Sequence, residues 1–326
     1  MNDVILVVLF GALTAYALLG GADFGAGFWD LFAGSEGGAA RQRKLIEHVI
    51  GPVWEANHVW LIFTVVLLWT SFPSVFAAIA STMYIPLTAA ALGIIGRGAG
   101  FAFRKTSTTL GRQRLFGAGF AFSSGVTPFF LGAVAGGVAS GRVPPGISAG
   151  DLLTAWWNPT SIMTGVLAIG VCAYLAAVFL TRDAQRHDPS LVPLLRRRAL
   201  ATGGVVGLLA AAGLAVVAAD APLLARELRQ PLPATLVVLS ALAGLVSMLL
   251  LYRGRYLAVR VSAGLAAATV LWAWAAGQYP YLLPPTTTVA DAAAPSSVLY
   301  ATFGAVVVGA AILVPSLLWL FRLSSR

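Results

Sequence analysis

Long apolar runs separated by short polar connections dominate this chain. A helix needs roughly 20 apolar residues to cross a hydrocarbon core of about 30 Å. Runs of that kind fall at 4–33, 48–71, 74–104, 114–138, 159–181, 199–219, 233–252, 256–276 and 297–321, which predicts nine transmembrane helices. The first and third are long enough to tilt or to project beyond the core. The first has neither a basic leader nor a small-residue cleavage site, so it reads as a retained helix rather than a signal peptide. Nine spans leave little room for anything else, so residues 1–326 are expected to form a single polytopic, all-α integral membrane domain.

Composition agrees. The chain is 59% hydrophobic and 10% charged, against about 25% charged in a soluble domain. The net charge of +9 does not point to nucleic acid, because its distribution follows the membrane. Sixteen of the 21 Lys and Arg lie on alternate connections and the C-terminal tail, with Arg142, Arg226 and Arg229 on the opposite side and Arg97 and Arg260 within helices. Basic connections stay cytoplasmic, so the N-terminus is expected outside and the C-terminus inside. That opposition requires an odd number of spans. The lone cysteine, Cys172, excludes an intrachain disulfide and reads as a small packing residue.

Three carboxylates stand where lipid tolerates them least. Asp23 closes the first apolar run, Asp30 follows seven residues later, and Glu55 opens the second run. A charge near mid-bilayer costs roughly 2.5–3.5 kcal/mol even on insertion scales, and such groups mark ion paths, substrates or buried partners. On a continuous helix Asp23 and Asp30 share a face. With the expected topology both lie toward the cytoplasmic end of helix one, Glu55 enters helix two at a similar depth, and Arg97 ends helix three at the same level. Trp54, Asn57 and His58 sit within one turn of Glu55, and Glu55 and His58 at i and i+3 can face the same way. Titratable groups, Asn57 and trapped water make a candidate proton path through Asp23, Glu55, Asn57 and His58, supported by Asp30, Arg97 and Trp54. The competing structural reading makes Arg97 the counter-ion of Asp23 or Glu55, and Asp30 a solvated helix end.

Other features carry less. His58 is the only one of the three histidines placed within the membrane, and it reads as a hydrogen-bonded helix residue before a haem ligand; His48 and His187 lie among charged residues. The connection 182–198 reads as a basic anchor against anionic headgroups. The segment 277–296, rich in Pro and Tyr and free of Lys and Arg, reads as a stiff external cap. Gly21-x3-Gly25 and Gly132-x3-Gly136 have the spacing that lets helix backbones approach closely. No GxGxxG follows a strand and there is no Walker lysine, nor any arrangement suggesting a metal site. A self-sufficient proton-coupled transporter would also place carboxylates in the membrane, but it wants a midplane site open to both sides.

Four ordered pieces carry a resemblance. They are Gly21-Ala-Asp23-Phe-Gly25-Ala-Gly27, Gly51-Pro52-Val-Trp54-Glu55-Ala-Asn57-His58-Val-Trp60-Leu, Arg97-Gly-Ala-Gly-Phe-Ala-Phe-Arg104-Lys105, and Gln278-Tyr-Pro280-Tyr281. Together they resemble subunit II of the cytochrome bd-type quinol oxidases. The first three cover about residues 20–105, while the middle of the chain matches only in hydropathy. The resemblance implies two four-helix bundles plus a peripheral helix, paired with a haem-bearing subunit I that carries haems b and d and the quinol site. It implies no haem, metal or catalytic group on this chain, and a role for the residues at Asp23 and Glu55 in leading cytoplasmic protons toward the oxygen-reducing haem. Membrane potential would then build without a pump, in a bacterial cytoplasmic membrane. A bound quinone or lipid and a small single-helix subunit are further partners the family admits. Many members carry Asp where this chain has Glu55, and Gln where it has His58.

Overall fold

A computed structural model describes residues 1–33, 37–50 and 54–324. Helix α1 (Asn2–Leu31) is mostly apolar and is buried most continuously in its second half, from Gly20 to Asp30. Helix α2 (Gly37–Ile50) is a separate helix that carries Arg41, Arg43, Lys44 and Glu47. The second span, expected from residue 48, therefore begins later, because 48–50 belong to this charged helix. The following helix α3 covers Trp54–Ser71.

The third span differs as well. Helix α4 (Pro73–Thr82) follows α3 directly, and the two are bent by 119° at the break between them. Helix α5 (Tyr84–Thr106) starts after Met83. Proline has no N–H and crowds the carbonyl four residues back. Pro86 therefore cannot sit inside one continuous helix over 74–104 without cost, and it is accommodated in the first turn of α5. Among the described residues eight helices are long and apolar enough to cross a membrane, or nine when Glu55–Ser71 and Pro73–Thr82 count as one broken span.

Helix α6 (Leu110–Ala139) holds Pro128, and α7 (Pro159–His187) starts from an Asn158 cap whose side chain accepts from the Ser161 amide. Pro159 takes the first helical position, where a missing donor is harmless. Then come α8 (Val192–Asp220), the short α9 (Pro222–Glu227), α10 (Pro231–Tyr252) and α11 (Tyr256–Gln278). The expected cap at 277–296 is a two-stranded antiparallel hairpin, β1 (Tyr281–Leu283) with β2 (Thr287–Thr288), followed by one turn of helix, α12 (Val289–Ala292). Gln278 ties it down: its amide donates to the Leu282 carbonyl at 2.9 Å, and Trp274 Nε1 donates to its Oε1 at 2.6 Å. Helix α13 (Ser296–Ser324) follows.

Helix α7 is the central strut, lying against α1, α6, α8 and α11. The small-residue spacings explain the closeness. A Cβ on Gly25 would sit 1.8 Å from the Cys172 carbonyl oxygen of α7, and one on Gly132 would sit 2.7 Å from the Thr164 carbonyl. Two apolar clusters flank this contact. One joins the end of α1 to α2, α7, α8, α10 and α11; the other joins its start to α3, α4, α6, the hairpin and α13.

Candidate functional site

The polar groups singled out by sequence do come together around the second half of α1, though not as one uniform cluster. Asp23 is 7% exposed, and its Oδ2 accepts from Asn57 Nδ2 at 2.6 Å. Arg97 is 1% exposed. Its Nη2 donates to the backbone carbonyl of Asp23 at 3.1 Å, and its guanidinium lies 4.8 Å from the Phe24 ring centroid and 5.3 Å from that of Phe120. Two aromatic faces thus take the place of a direct counter-ion, an arrangement favoured where the cation is desolvated. Among the described residues no carboxylate lies within ion-pair distance of Arg97. The Nε and Nη1 of Arg97, the Oδ1 of Asn57 and the hydroxyl of Tyr16 are buried without a hydrogen-bond partner in the described structure.

His58 is half-buried, its ring 6.0 Å from that of Tyr16 and 5.9 Å from that of Phe24. Glu55 is exposed. It stands two residues before Asn57, about 200° around α3 at 3.6 residues per turn, so it occupies nearly the opposite face from the group that holds Asp23. The side chain of Trp54 lies outside the described residues. Helix α6 closes the cluster from behind: a Cβ on Gly27 would meet the Ser124 oxygen at 2.1 Å, so only glycine allows α1 that close.

One turn beyond, Asp30 is no solvated helix end. It is 5% exposed, paired with Arg104 at 2.6 Å and Arg43 at 3.3 Å, and Arg104 also reaches Glu47 at 3.1 Å. Helices α1, α2 and α5 are tied by this four-membered network. Beside it, Gln42 donates to the Trp29 carbonyl at 2.9 Å and accepts from Arg198 at 2.8 Å, while Arg198 also caps the Phe32 carbonyl at 2.7 Å. Sequence reading missed Arg43, Glu47, Gln42 and Arg198 as partners. The available signal was the charged period of residues 41–47, which marks an amphipathic helix rather than a loop. Near the opposite ends of α6, α7 and α8, Asp220 accepts from Arg142 at 2.7 and 3.1 Å and from the Thr160 hydroxyl at 2.6 Å. Among the described residues no three His, Cys, Asp or Glu are grouped to hold a metal ion.

Fold and site together define a polytopic, all-α membrane protein with a buried carboxylate–arginine cluster toward one end of its first helix. The sequence matches the family "Cytochrome bd terminal oxidase subunit II" over residues 1–324, and the chain belongs to that family. It is 28% identical over 182 residues to cytochrome bd ubiquinol oxidase subunit 2 of Bacillus subtilis (strain 168), covering 56% of this chain and 53% of that protein. It is 26% identical over 176 residues to cytochrome bd-I ubiquinol oxidase subunit 2 of Escherichia coli (strain K12), covering 52% and 45%. The aligned part thus spans about half the length of these curated relatives. The fold matches a chain of the bd oxidase structure from Geobacillus thermodenitrificans with a TM-score of 0.76, over 98% of this chain and 97% of that one, at 11% identity. The chain is accordingly a multi-pass protein of the bacterial cytoplasmic membrane, and the family match gives the transporter reading no support.

Proposed function

We propose that this chain is the partner-stabilising, proton-delivering half of a bd-type quinol:oxygen oxidoreductase. In this reading it lies against a haem-bearing subunit I, with the N-terminus outside and the C-terminus cytoplasmic. Haems b and d, held by subunit I, supply the reduction of oxygen. The residues of this chain hold and move protons: Glu55 takes them up from the cytoplasmic side, and Asp23 passes them on. Charge separation then follows from proton uptake inside and release from quinol outside, with no pump. The observation that carries the reading is the buried Asp23 carboxylate, bonded by Asn57 and left without a direct ion pair beside Arg97. A carboxylate fully neutralised by a salt bridge serves structure; one held by a neutral amide can change its protonation at lower cost.

The exposed position of Glu55 supports the same reading, since an acid on an outer face of an apolar helix wants either a partner subunit or a water path. The test uses the whole oxidase. Glu55→Gln and Asp23→Asn complexes should keep parental haem content and lose quinol-driven oxygen uptake by about a hundredfold or more, the scale of losing a positioned proton carrier. Loss of haem in step with activity would make these residues scaffold instead.

A further inference from the structure

Tyr16, Asp23 and Asp30 are spaced seven and seven along α1, so they fall on one stripe of that helix. All three are buried, at 5%, 7% and 5% exposure. At 1.5 Å per residue the stripe is roughly 21 Å long. The Tyr16 ring is folded down along this stripe: it lies over Gly20, where a Cβ would come within 2.8 Å of its Cε2. It meets Phe24 edge-on at 6.4 Å. The His58 ring packs against that of Tyr16 at 6.0 Å, and the Arg97 guanidinium lies 4.8 Å from the centroid of the same Phe24 ring that Tyr16 meets.

Four buried polar atoms on the three helices around Asp23 have no hydrogen-bond partner among the described residues: the Tyr16 hydroxyl, Asn57 Oδ1, and Arg97 Nε and Nη1. Leaving such atoms dry carries the full desolvation penalty of each group, and native structures satisfy buried polar atoms with protein or with ordered water. A buried water typically makes about three hydrogen bonds, and this constellation offers both donors and acceptors. The Asn57 amide nitrogen is committed to Asp23, so its oxygen must accept from elsewhere.

We propose that Tyr16, Asn57 and Arg97 anchor a cluster of buried water that carries protons from Asp23 on to Tyr16. The inference rests on Asp23 being a proton carrier. In the transfer, a water hands a proton to a lone pair of the tyrosine oxygen while the phenolic O–H proton leaves to a water on the far side, so the ring never ionises. Arg97 holds the waters by its two unbonded N–H edges and gives up no proton. Asn57 orients the carboxylate with one end of its amide and the first water with the other.

The test compares Tyr16→Phe with Asp23→Asn in the complete oxidase in proteoliposomes. Oxygen uptake, potential build-up and the solvent deuterium isotope effect are read with haem content as the assembly control. Tyr16→Phe should keep haem, slow uptake and potential build-up together by about tenfold, short of full loss of a proton carrier, and raise the isotope effect. Its thermal midpoint should fall, since a water-bonded hydroxyl is lost; a dry, orphaned hydroxyl would instead leave a more stable complex when removed. Parental rate and isotope effect in Tyr16→Phe alongside a slow Asp23→Asn would overturn the water cluster and leave the proton path standing. A parental Asp23→Asn would sink the path itself. If Tyr16→Phe does not assemble, infrared difference spectra of the parent complex in H₂¹⁶O and H₂¹⁸O decide. A buried-water band that Asp23→Asn perturbs supports the cluster, and no such band overturns it.

Discussion

Asn57 binds the Asp23 carboxylate at 2.6 Å, while Arg97, buried beside it, bonds the Asp23 backbone carbonyl instead. The single amide of Asn57 is therefore the one side-chain donor to this acid among the described residues. Asn57→Leu should leave a buried carboxylate unsatisfied, at about 1–3 kcal/mol. The expected outcome is a lower thermal midpoint of the complex and slower oxygen uptake at normal haem content; unchanged uptake would separate Asn57 from the path.

The Asp30 network makes a different prediction. Removing one partner of a buried ion pair costs roughly 3–5 kcal/mol because it strands the other charge. Here both Arg43 and Arg104 face Asp30. Asp30→Asn should thus reduce the yield of assembled complex, with the turnover per haem of what survives close to parental. A turnover loss at full assembly would move Asp30 from the scaffold into the proton path.

Helix approach is testable by single methyl groups. Gly25→Ala would drive a Cβ into the Cys172 carbonyl at 1.8 Å, a backbone atom that cannot rotate aside. Overpacking of this kind costs about 1–3 kcal/mol or more, and complex assembly measured by haem recovery should collapse. Gly119→Ala, with nothing within 4 Å of its Cβ, should be neutral or raise the midpoint slightly, as Ala favours helix over Gly by about 1 kcal/mol.

The hairpin predicts a pH dependence. Hydrogen bonds from the Thr288 hydroxyl and amide to Asp291 hold that carboxyl below the usual carboxylate range. A depressed folded-state value means the contribution is present above the unfolded value, near 3.9, and is lost as pH falls through the folded one. Hydrogen-exchange protection factors across residues 281–292, taken relative to the intrinsic rate at each pH, should stay high at neutral pH and fall in acid. Asp291→Ala should abolish that acid step; a step that persists would place its cause elsewhere.

Hydropathy made most of the spans legible, since long apolar runs have few alternatives in a membrane. It failed where polar and apolar signals were mixed. Residues 48–50 belong to the charged helix α2, and Met83 divides a run that looked continuous because Pro86 interrupts bonding without changing hydropathy. Asp23, Asn57 and Arg97 were traceable as polar intrusions into apolar helices. Their connectivity was not, because the choice between a carboxylate and a carbonyl as Arg97's acceptor depends on side-chain geometry. Glu55 shows the same limit: depth along the membrane follows from topology, but which face of α3 it occupies follows from rotation about the helix axis.

The contact between Gly25 and Cys172 has a meaning beyond packing. Where a single carbon cannot enter, a water molecule cannot either. At Gly25, two residues along α1 from Asp23, the seam between α1 and α7 is therefore closed to solvent. For the proton path proposed above, that contact would act as insulation made by two backbones touching rather than by any charge placed to repel a proton.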